Sequence, residues 1–196
     1  MELIIIKTQA SWAITINSYD KRAADSCADA LFGLIAERRG SYEHIIFLCI
    51  GTDRATGDAF GPLAGHMLIK GRNARRAYVY GSLHKPVHAA NLTMALEAIY
   101  EHHKNPLIIA IDACLGAADK IGKIIIKDGA IIPGMAKGER LAKVGDISIL
   151  GVVNIANGDT ACPLEVLSST RLNVVMQMAE VAAKAIGKCV GRLNTS

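Results

Sequence analysis

One stretch decides the fold of this chain: Phe47-Leu-Cys-Ile-Gly-Thr-Asp-Arg-Ala-Thr-Gly-Asp-Ala-Phe-Gly-Pro-Leu-Ala-Gly65. It opens on an apolar run that is typical of a buried strand, and it turns at Gly51 into a polar loop. The loop carries Asp53 and Asp58, and the small residues after it predict a helix from about Gly61. A strand, a polar loop and a helix in this order form the repeating unit of α/β proteins with a parallel sheet.

A second apolar run, Leu107–Ile111, predicts another buried strand, and that strand ends at Asp112. In parallel sheets the carboxyl ends of the strands lie at one edge, and ligands bind beyond that edge. We therefore expect Asp58 and Asp112 to share a candidate active site. Three segments should form loops at this edge: 51–57, 112–116 and 154–160.

The rest of the chain alternates strands with helices. Hydrophobic periodicity predicts strands at 2–6, 12–16, 45–50, 77–80, 107–111, 122–127 and 147–153, the first two as an edge hairpin. It predicts helices at 23–38, 61–70, 92–100 and 162–187, with Asn91 as the N-cap of the third and Pro163 in the first turn of the last. These elements predict one domain over residues 1–196, a three-layer α/β/α sandwich around a mainly parallel sheet.

Composition excludes several classes of protein. Of the 196 residues, 51% are apolar and 20% are charged, so the chain should fold rather than stay disordered. The net charge of +4 is scattered and aromatic residues are few, so we expect no nucleic-acid partner. No apolar run is long enough to cross a bilayer, and Met1–Lys7 is too short for a signal peptide, so we expect no membrane partner.

The cysteines indicate a reducing compartment. Their number is odd, none follows a CxxC spacing, and most lie in apolar runs, as buried free thiols do. The five are Cys27, Cys49, Cys114, Cys162 and Cys189. We therefore expect a soluble, cytoplasmic protein.

Two roles fit Asp58 and Asp112. Two neighbouring carboxylates resist ionising together, so one holds a proton while the other acts as a base. Such a pair can activate a water for attack on a peptide bond and protonate the departing nitrogen. The alternative is structural, with Asp58 capping the helix that follows it and Asp112 capping a helix or stabilising a turn.

Neighbouring residues allow other interpretations of the same edge. Asp53 and Arg54 can orient a substrate, or they can pair with each other and stiffen the loop. The loop is not a phosphate-binding loop, because no lysine and hydroxyl follow its last glycine. Cys114 lies near the edge, but no histidine is placed to activate it, so we favour a packing role for its side chain. His84 and His88 are separated by Pro86 and do not share a helix face, which disfavours a metal site.

Two motifs resemble a known family. They are Leu48-Cys-Ile-Gly-Thr-Asp-Arg-Ala-Thr-Gly-Asp-Ala-Phe-Gly-Pro-Leu63 and Ile111-Asp-Ala-Cys-Leu-Gly116, which look like the sporulation protein YyaC family (DUF1256). The likeness runs from about Asp25 to Lys184. That family is similar to germination protease, which degrades small acid-soluble spore proteins, and is related in fold to hydrogenase maturation endopeptidases. The resemblance implies the phosphorylase/hydrolase-like sandwich of those enzymes.

The resemblance to germination protease also implies roles for single residues. Thr56-Gly-Asp-Ala-Phe-Gly-Pro62 is similar to a motif whose catalytic aspartate falls on Asp58. The segment 111–114 places a second catalytic aspartate on Asp112, and 132–138 resembles a Pro-Gly-rich loop. We expect five further residues to bind or orient the substrate: Asp53, Arg54, Thr56, Pro133 and Gly134.

The function implied by the resemblance is an endopeptidase that hydrolyses a spore protein or peptide in the forespore or spore interior, without a cofactor. Hydrogenase maturation endopeptidases bind nickel through two carboxylates and a histidine after the second. No histidine follows Asp112, so we expect no metal. Relatives of germination protease form oligomers, which leaves a homo-oligomer open. Two alternatives also stay open: a non-catalytic binding or assembly protein of the developing spore, and a metal-dependent hydrolase of small molecules.

Overall fold

The computed structural model describes residues 4–8, 11–71, 77–134, 142–156 and 162–194. Within these ranges one sheet contains β1 (Ile4–Thr8), β2 (Ser11–Asn17), β3 (His44–Cys49), β4 (Ala77–Tyr80), β5 (Pro106–Gly116), β6 (Lys123–Asp128) and β7 (Ile147–Ile155). The α-helices are α1 (Ala23–Ala36), α2 (Phe60–Lys70), α3 (Leu92–His102), α4 (Pro163–Ser168) and α5 (Leu172–Leu193). Short 3₁₀ turns precede α2 (Thr56–Ala59) and β6 (Ala118–Lys120).

The strands follow the order β1-β2-β6-β7-β5-β3-β4 across the sheet. Strands β7, β5, β3 and β4 pair in parallel, and the pairs β1–β2, β2–β6 and β6–β7 are antiparallel. Five strands therefore point the same way, and only β1 and β6 run against them. This confirms the predicted α/β fold with a mainly parallel sheet.

Strand β6 departs from the parallel pairing that the sequence predicted. The connection between β5 and β6 holds only the short turn Ala118–Lys120. β6 lies one strand away from β5, beyond β7, and a parallel β6 would need a crossover of about a dozen residues or more to return to the opposite edge of the sheet. A link this short therefore makes β6 run the other way. The predicted hairpin β1–β2 then extends the sheet beyond β6.

Helices cover the two faces of the sheet unequally. On one face α1, α2 and α5 bury a large core that includes Phe47, Ile109 and Ile149. On the opposite face α3 covers a smaller core around Ile46 and Leu48. These layers confirm the three-layer sandwich. Among the described helices, none combines the length and the apolar character that crossing a bilayer requires.

Strand β5 is longer than the sequence predicted, and this changes the setting of Asp112. The prediction ended the strand at Ile111 and made 112–116 a loop, but β5 continues to Gly116 because β7 pairs beside it. The neighbouring strand β3 ends opposite Ile111. Asp112 therefore lies inside a strand, one residue beyond the end of β3.

The predicted closing helix 162–187 is two helices, α4 and α5. Between them the side chain of Asn154, on β7, donates to the carbonyl oxygen of Val166 at 3.0 Å and to Oγ1 of Thr170 at 3.2 Å. The Thr170 hydroxyl donates to the same carbonyl oxygen at 3.0 Å. Because these bonds satisfy a carbonyl group at the end of α4, the chain can leave the helix there and begin α5 in a new direction.

Asn91 occupies the N-cap position of α3 but does not cap it. Its Oδ1 accepts the backbone N–H of His88 at 2.8 Å, and its amide donates to the carbonyl oxygen of Pro86 at 3.0 Å. The side chain therefore stabilises the loop before the helix instead of the first helical turn.

Glycines let α2 lie directly on the backbone of the sheet. A Cβ added at Gly61 would lie 2.1 Å from the carbonyl oxygen of Ile50, and one at Gly65 would lie 2.1 Å from that of Gly81. Backbone atoms cannot move aside as the end of a side chain can. Both positions therefore require glycine, and this close approach sets the position of the turn that precedes α2.

We predict that Gly61→Ala destabilises the protein although alanine is the better helix former. Overpacking costs about 1–3 kcal/mol or more, which exceeds the gain in helix propensity of about 1 kcal/mol. The matched control is Gly187→Ala in α5, where an added Cβ meets nothing within 4 Å. That substitution should stabilise the fold by about 0.5–1 kcal/mol. Urea unfolding of both variants measures the difference, and equal effects would contradict the steric account.

A histidine and tyrosine cluster lies at the opposite end of β3 from the Asp58 loop. The ring of His103 contacts those of His44 and Tyr78, with centroids 5.2 Å and 4.2 Å apart, and its Nε2 lies 3.0 Å from the Tyr80 hydroxyl. Burial, followed by the charges of His44 and His102, lowers the pKa of His103 below 6.5. The folded state therefore disfavours the imidazolium.

We predict that the free energy of unfolding falls as the pH drops below 6.5. Because the pKa of His103 is lowered in the folded state, the unfolded chain takes up the proton first. The contribution of His103 to the free energy of unfolding is therefore fully present above pH 6.5 and is lost as the solution is acidified. The substitution His103→Gln removes this titration and should flatten the pH dependence. Chemical denaturation across this pH range provides the measurement, and an unchanged slope in the variant would refute the assignment.

Candidate active site

Asp58 is held in the 3₁₀ turn Thr56–Ala59 by the end of β3. The backbone N–H of Thr52 donates to Oδ2 of Asp58 at 3.0 Å. The same nitrogen lies 3.1 Å from the backbone carbonyl oxygen of Asp58. Gly51 has φ +134°, and a Cβ there would lie 2.0 Å from that carbonyl oxygen. The carboxyl group is therefore fixed by backbone contacts, and the residue is only 7% exposed.

Asp112 reaches the same region from β5. It is 8% exposed, and its Oδ1 accepts the backbone N–H of Ala113 at 2.8 Å. Asp58 and Asp112 both line one cavity of about 550 Å³. The structure thus brings together the two carboxylates that the sequence singled out.

Neither aspartate occupies the N-cap position of a described helix. The N-cap of α2 is Ala59, which makes no side-chain capping bond, and the Asp58 side chain accepts from Thr52 instead. Asp112 lies within a strand, so it caps no helix. Each carboxyl group accepts a backbone N–H, which satisfies part of its hydrogen-bonding capacity while it is buried.

The cavity combines apolar walls with two lysines beside the two aspartates. Strand β7 and the segment after β6 supply the apolar side chains. The sequence did not predict Lys127 and Lys143 as site residues, although the alternation along β6 places Lys127 on the face opposite the buried Ile124 and Ile126. The described lining is Asp58, Asp112, Ala113, Cys114, Leu115, Lys127, Ala130, Ile131, Ile132, Gly134, Lys143, Leu150, Ala156 and Leu167.

The predicted substrate-binding residues divide into two groups. Gly134 lines the cavity, and Pro133 is buried next to it. Asp53 and Arg54 are exposed and Thr56 is half-buried, and none of these three is among the described residues that line the cavity. The described residues also contain no ion pair between Asp53 and Arg54, so their roles stay a prediction.

Cys114 lines the cavity as a neutral thiol. Burial raises its pKa to about 12, with the charge of Asp112 adding to the shift and that of Lys127 opposing it. A helix N-terminus would lower the pKa of a thiol, but Cys114 lies in a strand, and the charge of Lys127 does not outweigh burial. The geometry therefore disfavours a thiol nucleophile.

We predict that Cys114 reacts with iodoacetamide at least about tenfold more slowly than the exposed Cys162 at neutral pH. The thiolate is the reactive form, and a pKa near 12 leaves it almost unpopulated. Mass spectrometry of tryptic peptides measures both rates in one sample. Cys114→Ala identifies the peptide, and equal rates would show that the site is more polar than described.

The histidines that the sequence offered do not join this site. His84 lies beside His66, with ring centroids 5.2 Å apart, and His88 donates its backbone N–H to Asn91. In the described parts of the chain, no three His, Cys, Asp or Glu side chains form a group that could hold a metal ion.

Comparisons with known proteins give two kinds of similarity. A family model described as "Protein of unknown function (DUF1256)" matches residues 15–185. The "Uncharacterized protein YyaC" of Bacillus subtilis (strain 168) is 44% identical over 149 residues, which is 76% of this chain and 71% of the relative. The crystal structure of the [NiFe] hydrogenase maturation protease HycI from Thermococcus kodakarensis KOD1 superposes with a TM-score of 0.53 at 17% identity. It covers 80% of this chain and 98% of HycI. At that identity the likeness establishes the fold alone.

Proposed function

We propose that this chain, which belongs to the DUF1256 family, is a peptidase that hydrolyses peptide bonds with Asp58 and Asp112. The observation that carries the proposal is the meeting of two buried carboxylates in one cavity. The fold that it shares with a maturation protease supports a peptidase but does not by itself fix an activity.

In the proposed chemistry one carboxyl group acts as the general base and the other as the general acid. The ionised carboxylate takes a proton from a water, which then attacks the peptide carbonyl carbon. The protonated carboxyl group gives its proton to the departing nitrogen, so the C–N bond breaks as a carboxylic acid and an amine form. The pair holds one proton throughout, and the starting arrangement returns when that proton exchanges through solvent to the other carboxyl group.

The cavity offers the means to hold a peptide for this reaction. Its apolar walls, with Leu150, Leu167 and Ile131, can bury a substrate side chain. The backbone bonds to Asp58 and Asp112 keep both carboxyl groups in place without rearrangement, as effective catalysis requires.

The finer proposal is that the substrate is a spore protein cleaved in the forespore or spore interior. Its support is that segments 56–62 and 111–114 resemble two motifs of germination protease. The catalytic aspartates of those motifs correspond to Asp58 and Asp112. A homo-oligomer stays a prediction. The test of the substrate is direct, because purified acid-soluble spore proteins can be offered to the purified chain.

We predict that the wild type cuts these proteins into discrete fragments and that Asp58→Asn and Asp112→Asn each lower the rate at least about 100-fold. General acid–base catalysis contributes about 10²–10⁴-fold, and the amide cannot supply it. Intact-mass spectrometry follows the fragments, with and without a chelator. Asp29→Asn, an exposed aspartate of α1, is the matched control and should retain full activity.

Three outcomes separate the proposal from its rivals. Cleavage that survives in both cavity variants would refute the assignment of the aspartates. Cleavage abolished by chelator would favour a metal-dependent hydrolase. No cleavage by the wild type, with both variants more stable than the wild type, would favour a binding protein, because removing one of two close carboxylates relieves their repulsion.

A further inference from the structure

In the described part of the chain, the helices that pack closely on strands β2 and β6 all lie on one face of these strands. Along β6 the side chains alternate, so that Ile124 and Ile126 are buried while Lys123, Ile125 and Lys127 are half-buried on the other side. The helices with substantial contacts to β2 and β6 are α1 and α5, which pack on the buried side. The half-buried side is therefore open in the described part of the chain.

The pairing register extends this surface across β2. Residues directly opposite each other on paired strands share a face. Ala13 pairs with Lys127, Thr15 with Ile125, and Asn17 with Lys123. We call this surface the open sheet face, and its residues are Ala13, Thr15, Asn17, Lys123, Ile125 and Lys127.

The open sheet face is continuous with the cavity. Asp112 pairs with Leu150, Leu150 pairs with Ile125, and Ile125 pairs with Thr15, so one row of side chains crosses four strands. Asp112 and Leu150 line the cavity, and Lys127 belongs to both surfaces. Three strand spacings of about 4.8 Å give a row of about 14 Å, the length of about four extended residues.

Among the six residues of the open sheet face, the charged ones are Lys123 and Lys127. Lys143 adds a third ammonium group at the cavity, where the carboxyl groups of Asp58 and Asp112 are buried. Lys127 donates one hydrogen bond, to the carbonyl oxygen of Ala130 at 3.1 Å, whereas an ammonium group carries three donors. The nearby carboxylate of Asp128 lies on the other face, paired with Arg38 of α1. The surface is therefore complementary to an anionic ligand.

The rest of the surface favours a peptide over a nucleic acid as that ligand. Ile125, Ala13 and Thr15 offer small apolar and hydroxyl contacts between the two lysines. Bases need aromatic side chains on which to stack, and Trp12 packs toward the covered face.

We propose that the open sheet face is a docking surface for an extended acidic segment of the protein substrate, next to the segment that enters the cavity. The proposal rests on the peptidase function proposed above for the identity of its occupant. Acidic side chains of the segment bind Lys123 and Lys127, and its apolar side chains contact Ile125.

Fluorescence anisotropy of a labelled 12-residue peptide tests the proposal. The probe alternates Glu with Ala and Ile, and a second probe carries Gln at each Glu position. Asp112→Asn is the common background, so that no probe is cleaved during the titration. We expect the acidic probe to bind at least about tenfold more tightly than the neutral one, and Lys123→Glu to weaken it at least about tenfold.

The matched control is Lys184→Glu, which changes the net charge equally on α5, at the covered face. It should leave the affinity for the acidic probe within about twofold of the value for the Asp112→Asn background. Thermal melting should show that both lysine variants fold. Equal binding of the two probes, or equal effects of the two variants, would overturn the proposal. Tighter binding of a labelled oligodeoxynucleotide than of the acidic probe would overturn the choice of a peptide.

The same variants in the otherwise wild-type chain separate this proposal from the peptidase proposal. Lower affinity with Lys123→Glu, but no cleavage by the wild type, would support the docking surface and count against the peptidase. Cleavage with an unchanged KM in Lys123→Glu, together with unchanged binding, would support the peptidase and overturn the docking surface.

Discussion

The candidate site depends on a backbone-to-backbone contact between the end of β3 and the start of α2. Gly51 touches the carbonyl oxygen of Asp58, and Gly61 touches that of Ile50, so no Cβ fits at either glycine. Because the contact leaves no room for adjustment, the turn that carries Asp58 has one position relative to the sheet. The Asp58 carboxyl group is therefore positioned by backbone groups, and Thr52 donates its N–H to it at 3.0 Å.

The second determinant is the unequal covering of the sheet. On one face α1, α2 and α5 cover a large core, whereas on the other face α3 covers a smaller one. Strands β5 and β7 continue past the end of β3, and residues of both strands line the cavity. The pairing of β6 with β7 places Lys127 on the same face of the sheet as Leu150, and both side chains line the cavity.

The electrostatics of the cavity follow from these positions. Asp58 and Asp112 are buried, and each accepts a backbone N–H, so polar bonds offset part of the cost of removing them from water. Burial is the main cause that raises the pKa of the Cys114 thiol; the charge of Asp112 adds to this effect and that of Lys127 opposes it. The cavity therefore holds a neutral thiol beside two buried carboxyl groups, which is the arrangement that the proposed acid–base mechanism needs.

The sequence by itself determined the fold class, most of the strands and helices, and the two aspartates. Apolar runs, turn residues and motif similarity depend on residues that are close together in the sequence, and the elements that they predicted occur in the structure. Tertiary contacts decided the rest. Strand β5 extends because β7 pairs with it, and the last helix divides because Asn154 of β7 donates to the carbonyl oxygen of Val166. Lys127 lines the cavity because β6 pairs with β7. Each of these features depends on contacts between residues that are far apart in the sequence, and no local sequence pattern predicts such contacts.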